Sequence, residues 1–475
     1  MTDLVQIAER VLREQGFDPD LPAGIERTIP PVDPGDDARD LRDLPWSSID
    51  NEESRDLDQV EVAEQLPGGE IRIFLGIADV ATYVAKDSPI DQYARTNTAT
   101  LYTPVAIFPM LPRELSEGRT SLLPGADKLA TVTEMVVRTD GTLDDAQTKI
   151  YKARVKNHAK LVYEEVGAWL EDHGPAPTDD DSIVAQLRLH DEAAQRLRRR
   201  RYELGALDLE TIEARTVAKD GKVIDLVVAH KNRAKELVED IMIAANGATA
   251  RFLERAGFAS IRRVVRAPKR WDRIRALATD LGVELPEEAS AAALSDFLAA
   301  QRAKDPARFA DLSLSIVKLI GPGEYALQRA DDPDTGHFGL AVEDYAHSTA
   351  PNRRFPDLVT QRLLHAAAAR RPQPYSDDEL GALATHCTDR ENAARKVERT
   401  LRKVAAATLL SERIGDEFDA IVTGASSKGT YARLLRPPAE GRVVRGEQGL
   451  DVGDRIRVRL LDTNIERGFI DFGAL

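Results

Sequence analysis

Apolar positions near the start of the chain recur every three or four residues. Leu4, Ile7, Ala8, Val11 and Leu12 predict one amphipathic helix over residues 1 to about 20. Residues 18–45 are rich in Pro and Asp and predict an irregular linker. From 46 to 160 the period drops to two. Ile71, Ile73, Leu75 and Ile77 alternate up to Ala78-Asp79, and Val60 and Val62 precede them. Thr131 to Arg138 predicts another strand, and Asp140-Gly141 is a hairpin turn signal. The stretch 101–125 holds four prolines, which predicts a long ordered loop rather than a helix. Helix dominates 158–201, strand returns over 205–230, and a long helix covers 231–257 with Ile241, Ile243, Ala244 and Ala245 buried. Several helices fill 270–320, including Trp271–Leu281 and Ala291–Gln301. Another runs from about Ser376 to Ile414, with Ala393, Val397, Leu401 and Ala405 along one face. Beyond 415 the alternation returns at Phe418, Ala420, Val422 and at Ile456, Val458, Leu460. Glycines between these runs supply turns. That pattern predicts a small five-stranded barrel of the oligonucleotide-binding type.

At 475 residues the chain is long enough for two to four domains. No apolar run is long enough to span a bilayer, and the acidic, amphipathic first residues do not form a signal peptide. The single cysteine, Cys387, excludes a disulfide framework and a cysteine zinc site and fits a reducing compartment. A cytoplasmic location is expected. Net charge is −15, but residues 1–64 hold 18 acids and 6 bases, so the rest of the chain is nearly balanced. Local positive potential for a phosphate-bearing partner is therefore compatible with the total. The chain lacks a P-loop, a metal-type histidine spacing and a nucleophile elbow. His337 and His347 are expected to be structural.

Three charged stretches carry the candidate chemistry. Asp50 to Asp58 packs five acids into nine positions. It is either a solvated loop or a cation site. If the chain is extended there, the even spacing of Asp50, Asp56 and Asp58 points them to one side. Converging carboxylates demand a raised pKa or a metal, and all-oxygen ligands favour Mg2+ or Mn2+. Arg196, Arg198, Arg199, Arg200 and Arg201 either grip phosphates or end a helix in solvent. Arg353 and Arg354, bracketed by Pro351 and Pro356, either bind phosphate at a helix start or anchor that helix to Asp357.

The segment HFGLAVEDYAHSTAPNRRFPDLVTQ (337–361) resembles the signature of the ribonuclease II family, whose catalytic domain is the RNB domain. IDNEESRDLD (49–58) is similar to the family's acidic motif. FPMLPRELSEG and AKLVYEEV (159–166) also resemble family segments. The resemblance implies an α+β fold: an RNB domain over 46–414 with a mixed sheet wrapped by helices, then an S1 barrel over 415–475. Residues 1–45 would be a short helical, acidic leader and linker, with no room for the cold-shock barrels of longer relatives.

The resemblance further implies a processive 3′→5′ exoribonuclease releasing nucleoside 5′-monophosphates from single-stranded RNA. Asp50, Asp56 and Asp58 match the metal-binding aspartates, with Asp56, Asp58 and Arg353 catalytic. Tyr102 matches the aromatic against the 3′-terminal base, Tyr163 and Glu239 positions tied to ribose recognition, and Glu398 an acid near the terminal nucleotide. The implied cofactor is Mg2+, with Mn2+ as a substitute. A monomer is expected, with no membrane and no nucleotide cofactor. Two positions depart from the family. Gln59 stands where the motif has a fourth acid, and Leu209 stands where an aromatic sandwiches the base stack. The first departure suggests an alternative, a catalytically weakened RNA-binding protein of the same fold.

Overall fold

The structure is a computed structural model. It describes all residues except 1–3, 32–37, 211–212, 220–221, 230, 334 and 427–428. The start of the first predicted helix, part of the linker and parts of the 205–230 stretch thus lie outside the described residues.

The chain opens with α1 (Leu4–Glu14). β1 (Arg39–Asp40), β2 (Ser47–Asp50), β3 (Gln59–Gln65) and β4 (Ile71–Ala78) follow. Next come α2 (Pro89–Asn97), the short pair β5 (Leu101–Tyr102) and β6 (Ile107–Phe108), then β7 (Asp127–Val137), β8 (Lys149–Lys156) and β9 (Ala159–Val162). These build a seven-stranded mixed sheet in the order β1-β8-β7-β4-β3-β2-β9, with β5 and β6 outside it. β1 pairs parallel with β8, and β2 with β9. The described parts of the predicted linker are docked. Its Ile25 and Ile29 are buried in the core around α2, and Arg39–Asp40 form a sheet edge.

The period-two pattern decides the two sheet faces. Ile71, Ile73, Leu75 and Ile77 of β4 turn toward α3 (Tyr163–Leu170), α4 (Asp181–Glu203) and α5 (Arg233–Arg255), where Val166, Leu187, Leu237 and Ile241 meet them. Val60 and Val62 turn to the opposite face with Trp46, Leu57 and Leu122. Each such side chain contributes roughly 1.5–3 kcal/mol by leaving water.

Between α4 and α5 lies the hairpin β10 (Glu213–Lys219) and β11 (Lys222–Ala229). β12 (Ser260–Val264) pairs with β13 (Glu324–Gln328). Between them α6 (Trp271–Asp280), α7 (Ala291–Lys304) and α8 (Pro306–Ile320) form a helical trio with its own core of Trp271, Ile274, Phe297 and Phe309. α9 (Phe355–Ala368) is buried on nearly every side, and its polar Asp357, Gln361 and Arg362 are each held by partners inside the fold. α10 (Asp377–Leu410) starts at a capping box formed by Ser376 and Glu379. At 11 residues α1 is too short to hold its own shape in water. Ile7, Ala8, Val11 and Leu12 fix it by packing on Val397 and Leu401 of α10 and on Leu101.

The C-terminal strands are β14 (Glu417–Ser426), β15 (Gly429–Leu434), β16 (Glu440–Arg445), β17 (Arg455–Asn464) and β18 (Phe469–Ala474). They close a barrel in the order β14-β15-β16-β18-β17. Its core uses the alternating residues Phe418, Ala420, Val458 and Leu460. Among the described residues, no helix is long and apolar enough to cross a membrane.

Candidate active site

Asp50 closes β2 and Gln59 opens β3, and residues 51–58 connect them without strand structure. Even spacing along an extended chain is thus not what gathers the aspartates. A pinned loop does so instead. Ser121 Oγ accepts from Leu57 N at 3.0 Å and donates to Arg55 O at 2.6 Å. Lys160 Nζ donates to Glu52 O at 2.7 Å and Ser54 O at 2.8 Å. Ala78 N, at the end of β4, donates to Asp58 O at 2.9 Å.

The turn before α9 faces this loop. Asp357 Oδ1 accepts from Ala350 N at 2.8 Å and from Arg354 Nη2 at 2.7 Å. Of the two arginines, Arg354 is therefore the helix anchor. Arg353 points the other way, with its side chain 44% exposed, and its Nε donates to Asp58 Oδ2 at 2.8 Å. Asn352 N donates to Asp58 Oδ1 at 3.1 Å. Asp58 is 2% exposed. Burial pushes its carboxyl up to about 6, against the pull of Arg353 and the Asn352 N–H. Partial desolvation opposes the Arg353 charge, but Asp58 together with Tyr102 and Asp56 overcomes it, so the guanidinium stays protonated.

Above this pair lies a cavity of about 350 Å³. Asp50, Asp56, Gln59, Tyr102, Tyr163 and Arg353 line it, together with Ser54, Thr349, Val238 and Met242. The Tyr102 hydroxyl donates to Asp56, and burial together with that carboxylate raises its phenol pKa. Asp50 accepts from Ser54 Oγ and Asn51 N, both at 2.7 Å. Parallel pairing of Asp50 with Val162 brings Tyr163, the next residue, to the same wall. Burial, then Asp50, then Glu61 raise the Tyr163 phenol pKa. Asn232 holds the start of α3 by donating to Tyr163 O at 2.9 Å. It comes so close to Gly167 that a β-carbon there would sit 2.7 Å from its amide, which is why glycine occupies that position.

Not all the candidate residues gather here. Glu239 lies on α5 beside the lining residue Val238, and its carboxylate pairs with Lys231 at 2.5 Å. Glu398 lines a second cavity of about 260 Å³ with Arg354, Arg395, Tyr325 and His347. Arg353 lines the first cavity and Arg354 the second, and both are tied to the segment before β5: Ala99 bridges Arg354, and Thr100 N donates to Arg353 O at 3.0 Å. Leu209 packs against the core of the helical trio, away from the carboxylates. Of the arginine run, Arg198 and Arg201 pair with the buried Asp240, Arg198 also with Glu236, and Arg196 with Glu192. These arginines are structural. His337 and His347 are half-buried, and desolvation holds them neutral. Sequence reasoning missed Ser54, Thr349, Val238 and Met242. Only the i, i+4 spacing of Val238 and Met242 signalled a shared helix face.

The cavity's donor chemistry fits a hard divalent cation. Its ligating atoms are oxygens, and Mg2+ is commonly held by one or two carboxylates completed by water and phosphate. Asp50 and Asp56 meet that description with neutral hydroxyl partners that a cation can displace. As placed, no three acidic or histidine side chains among the described residues form an ion-holding group, and Asp58 Oδ2 is engaged by Arg353.

A buried carboxylate tied to a half-exposed arginine beneath two acids, on a mixed sheet with a trailing barrel, defines a class. The chain belongs to the RNB domain family: residues 38–370 match that domain, and 416–475 match the RNase II-type exonuclease C-terminal S1 domain. It is 30% identical over 471 residues to ribonuclease R of Escherichia coli, covering 92% of this chain and 57% of that protein. It is 30% identical over 434 residues to exoribonuclease 2 of Escherichia fergusonii, covering 89% of this chain and 65% of that one. The fold matches Mycoplasma genitalium RNase R in complex with ribose methylated single-stranded RNA, with a TM-score of 0.89 at 22% identity. That match covers 100% of this chain and 78% of the other. The chain spans 57% of the length of the Escherichia coli relative.

Proposed function

We propose that this chain is a hydrolytic, processive 3′→5′ exoribonuclease that releases nucleoside 5′-monophosphates from single-stranded RNA. The Asp58–Arg353 pair at the cavity floor, with Asp50 and Asp56 facing the same space, carries this reading. Phosphodiester hydrolysis needs a positioned cation against the phosphate, and Arg353 supplies it without titrating. Asp58 fixes the guanidinium through Nε, leaving its terminal nitrogens for phosphate oxygens. Asp50, Asp56 and Asp58 would hold Mg2+ or Mn2+, which when bound supplies charge relief at the phosphate and activates the attacking water.

Tyr102, its hydroxyl tied to Asp56, offers its ring to the last base and closes the channel. Tyr163, at the wall, and Glu239, beside it, are the candidates for 2′-hydroxyl contacts, the feature that separates RNA from DNA. Glu398 acts from the second cavity near the terminal nucleotide. Leu209 contacts bases further out without stacking like a ring. The barrel adds affinity and no chemistry. The chain works as a monomer and needs no nucleotide cofactor.

Product identity tests this directly. Single-stranded RNA incubated with the protein and Mg2+ in ¹⁸O-water should yield nucleoside 5′-monophosphates that each carry the label. Cyclic phosphates or internal fragments would overturn the proposal. Gln59 favours a second reading, a silent RNA-binding protein: its amide carries no charge and donates to Ile49 O at 3.4 Å. Tight RNA binding without product in either Mg2+ or Mn2+ would establish that reading.

A further inference from the structure

β3 starts at Gln59, on the wall of the carboxylate cavity. The pleat sends Gln59, Glu61 and Ala63 toward α5, and Val60 and Val62 to the other face. Glu61 is 4% exposed. No hydrogen-bond donor and no cation among the described residues meets it, and burial alone acts on its carboxyl. That is unlike the rest of the molecule. Every other buried carboxylate among the described residues lies within salt-bridge distance of an arginine or a lysine. A partnerless buried carboxyl is costly, and valine serves the strand well on either side.

Its position connects it to the cavity. Glu61 is near enough to Tyr163 to act on that phenol alongside Asp50. Tyr163 and Gln59 both line the cavity. Glu61 therefore lies behind the wall that these two residues form, one strand step from the position where the family motif carries its fourth acid.

We propose that Glu61 is a positioning residue of this cavity: ionising as a divalent cation enters, it supplies, one step along the same strand face, the negative charge that Gln59 lacks, and so strengthens cation binding by Asp50 and Asp56. The inference rests on the cavity being the cation site of the proposed nuclease. Glu61 acts through Tyr163, Gln59 and the local potential, as outer partners of metal ligands do.

The test is Mn2+ affinity of the full chain without RNA, measured by titration calorimetry. Glu61→Gln is the isosteric variant and removes only the charge, so the fold should persist, checked by its thermal unfolding transition. It should weaken Mn2+ binding on the order of 10- to 100-fold. Adding Gln59→Asp to that variant should recover most of the loss, which a purely structural role for Glu61 would not produce. Asp50→Asn serves as the reference. If Asp50→Asn weakens Mn2+ binding and Glu61→Gln does not, this inference falls while the cation site stands. If the wild-type chain binds no Mn2+, both fall.

Discussion

Two dense runs of charge stand in this chain, and the fold treats them oppositely. Arg196–Arg201 lies on α4, where Arg198 and Arg201 close on the buried Asp240 of α5. Asp50–Asp58 lies in a loop whose backbone is pinned while Asp50 and Asp56 face open space. In the first run the fold supplies the counter-charges. In the second it sets Arg353 beneath Asp58 and gives Asp50 and Asp56 neutral hydrogen-bond donors at the cavity wall. Charge density alone does not separate structure from chemistry; the presence of partners inside the fold does.

The comparison can be broken in order of effect. Asp58→Asn should lower RNA turnover on the order of a thousandfold while leaving the fold intact, checked by single-turnover assay beside circular dichroism. The double variant Arg198→Ala, Arg201→Ala should do the reverse. It strands Asp240 in the core and should cost roughly 3–5 kcal/mol in urea unfolding, with turnover per folded molecule little changed. A large rate loss there would mean that the arginine run serves catalysis.

Glu61 gives a test by pH. Its folded carboxyl is pushed up to about 8 by burial, above its ordinary 4.5. The stability it contributes is complete below pH 4.5 and is lost as pH rises through 8. Without divalent ions, Glu61→Gln should therefore match wild type near pH 4.5 and exceed it above pH 8, by about 5 kcal/mol at most. Equal stabilities at both pH values would show that Glu61 has a partner in solution. The smallest effect belongs to Arg199, which is exposed in the middle of the run. Arg199→Ala should move stability by no more than about 0.5 kcal/mol.

Where the architecture is a matter of local period, the sequence shows it. The strand alternation of Ile71–Ile77, the long helices and the five-stranded barrel all follow from spacing, and the family follows from its motifs. The positions that spacing misjudges depend on remote partners. Asp50 and Asp56 reach one cavity, with Asp58 beneath it on Arg353, because Ser121, Lys160 and Ala78 hold a loop, not because a strand is pleated there. Arg353 and Arg354 are neighbours with the same chemistry, and only Asp58 and Asp357 tell them apart. Leu209 joins the helical trio and Glu398 a second cavity, placements set by tertiary packing. Glu61 was visible as an acid between two valines, but its lack of a partner is a property of the folded core.

The most direct measurement follows 5′-labelled single-stranded RNA on a sequencing gel, with Mg2+ and then Mn2+, for wild type and Asp58→Asn. The account predicts stepwise shortening from the 3′ end to a short limit fragment, lost in the variant. Internal cleavage, or an equal ladder from Asp58→Asn, would contradict it.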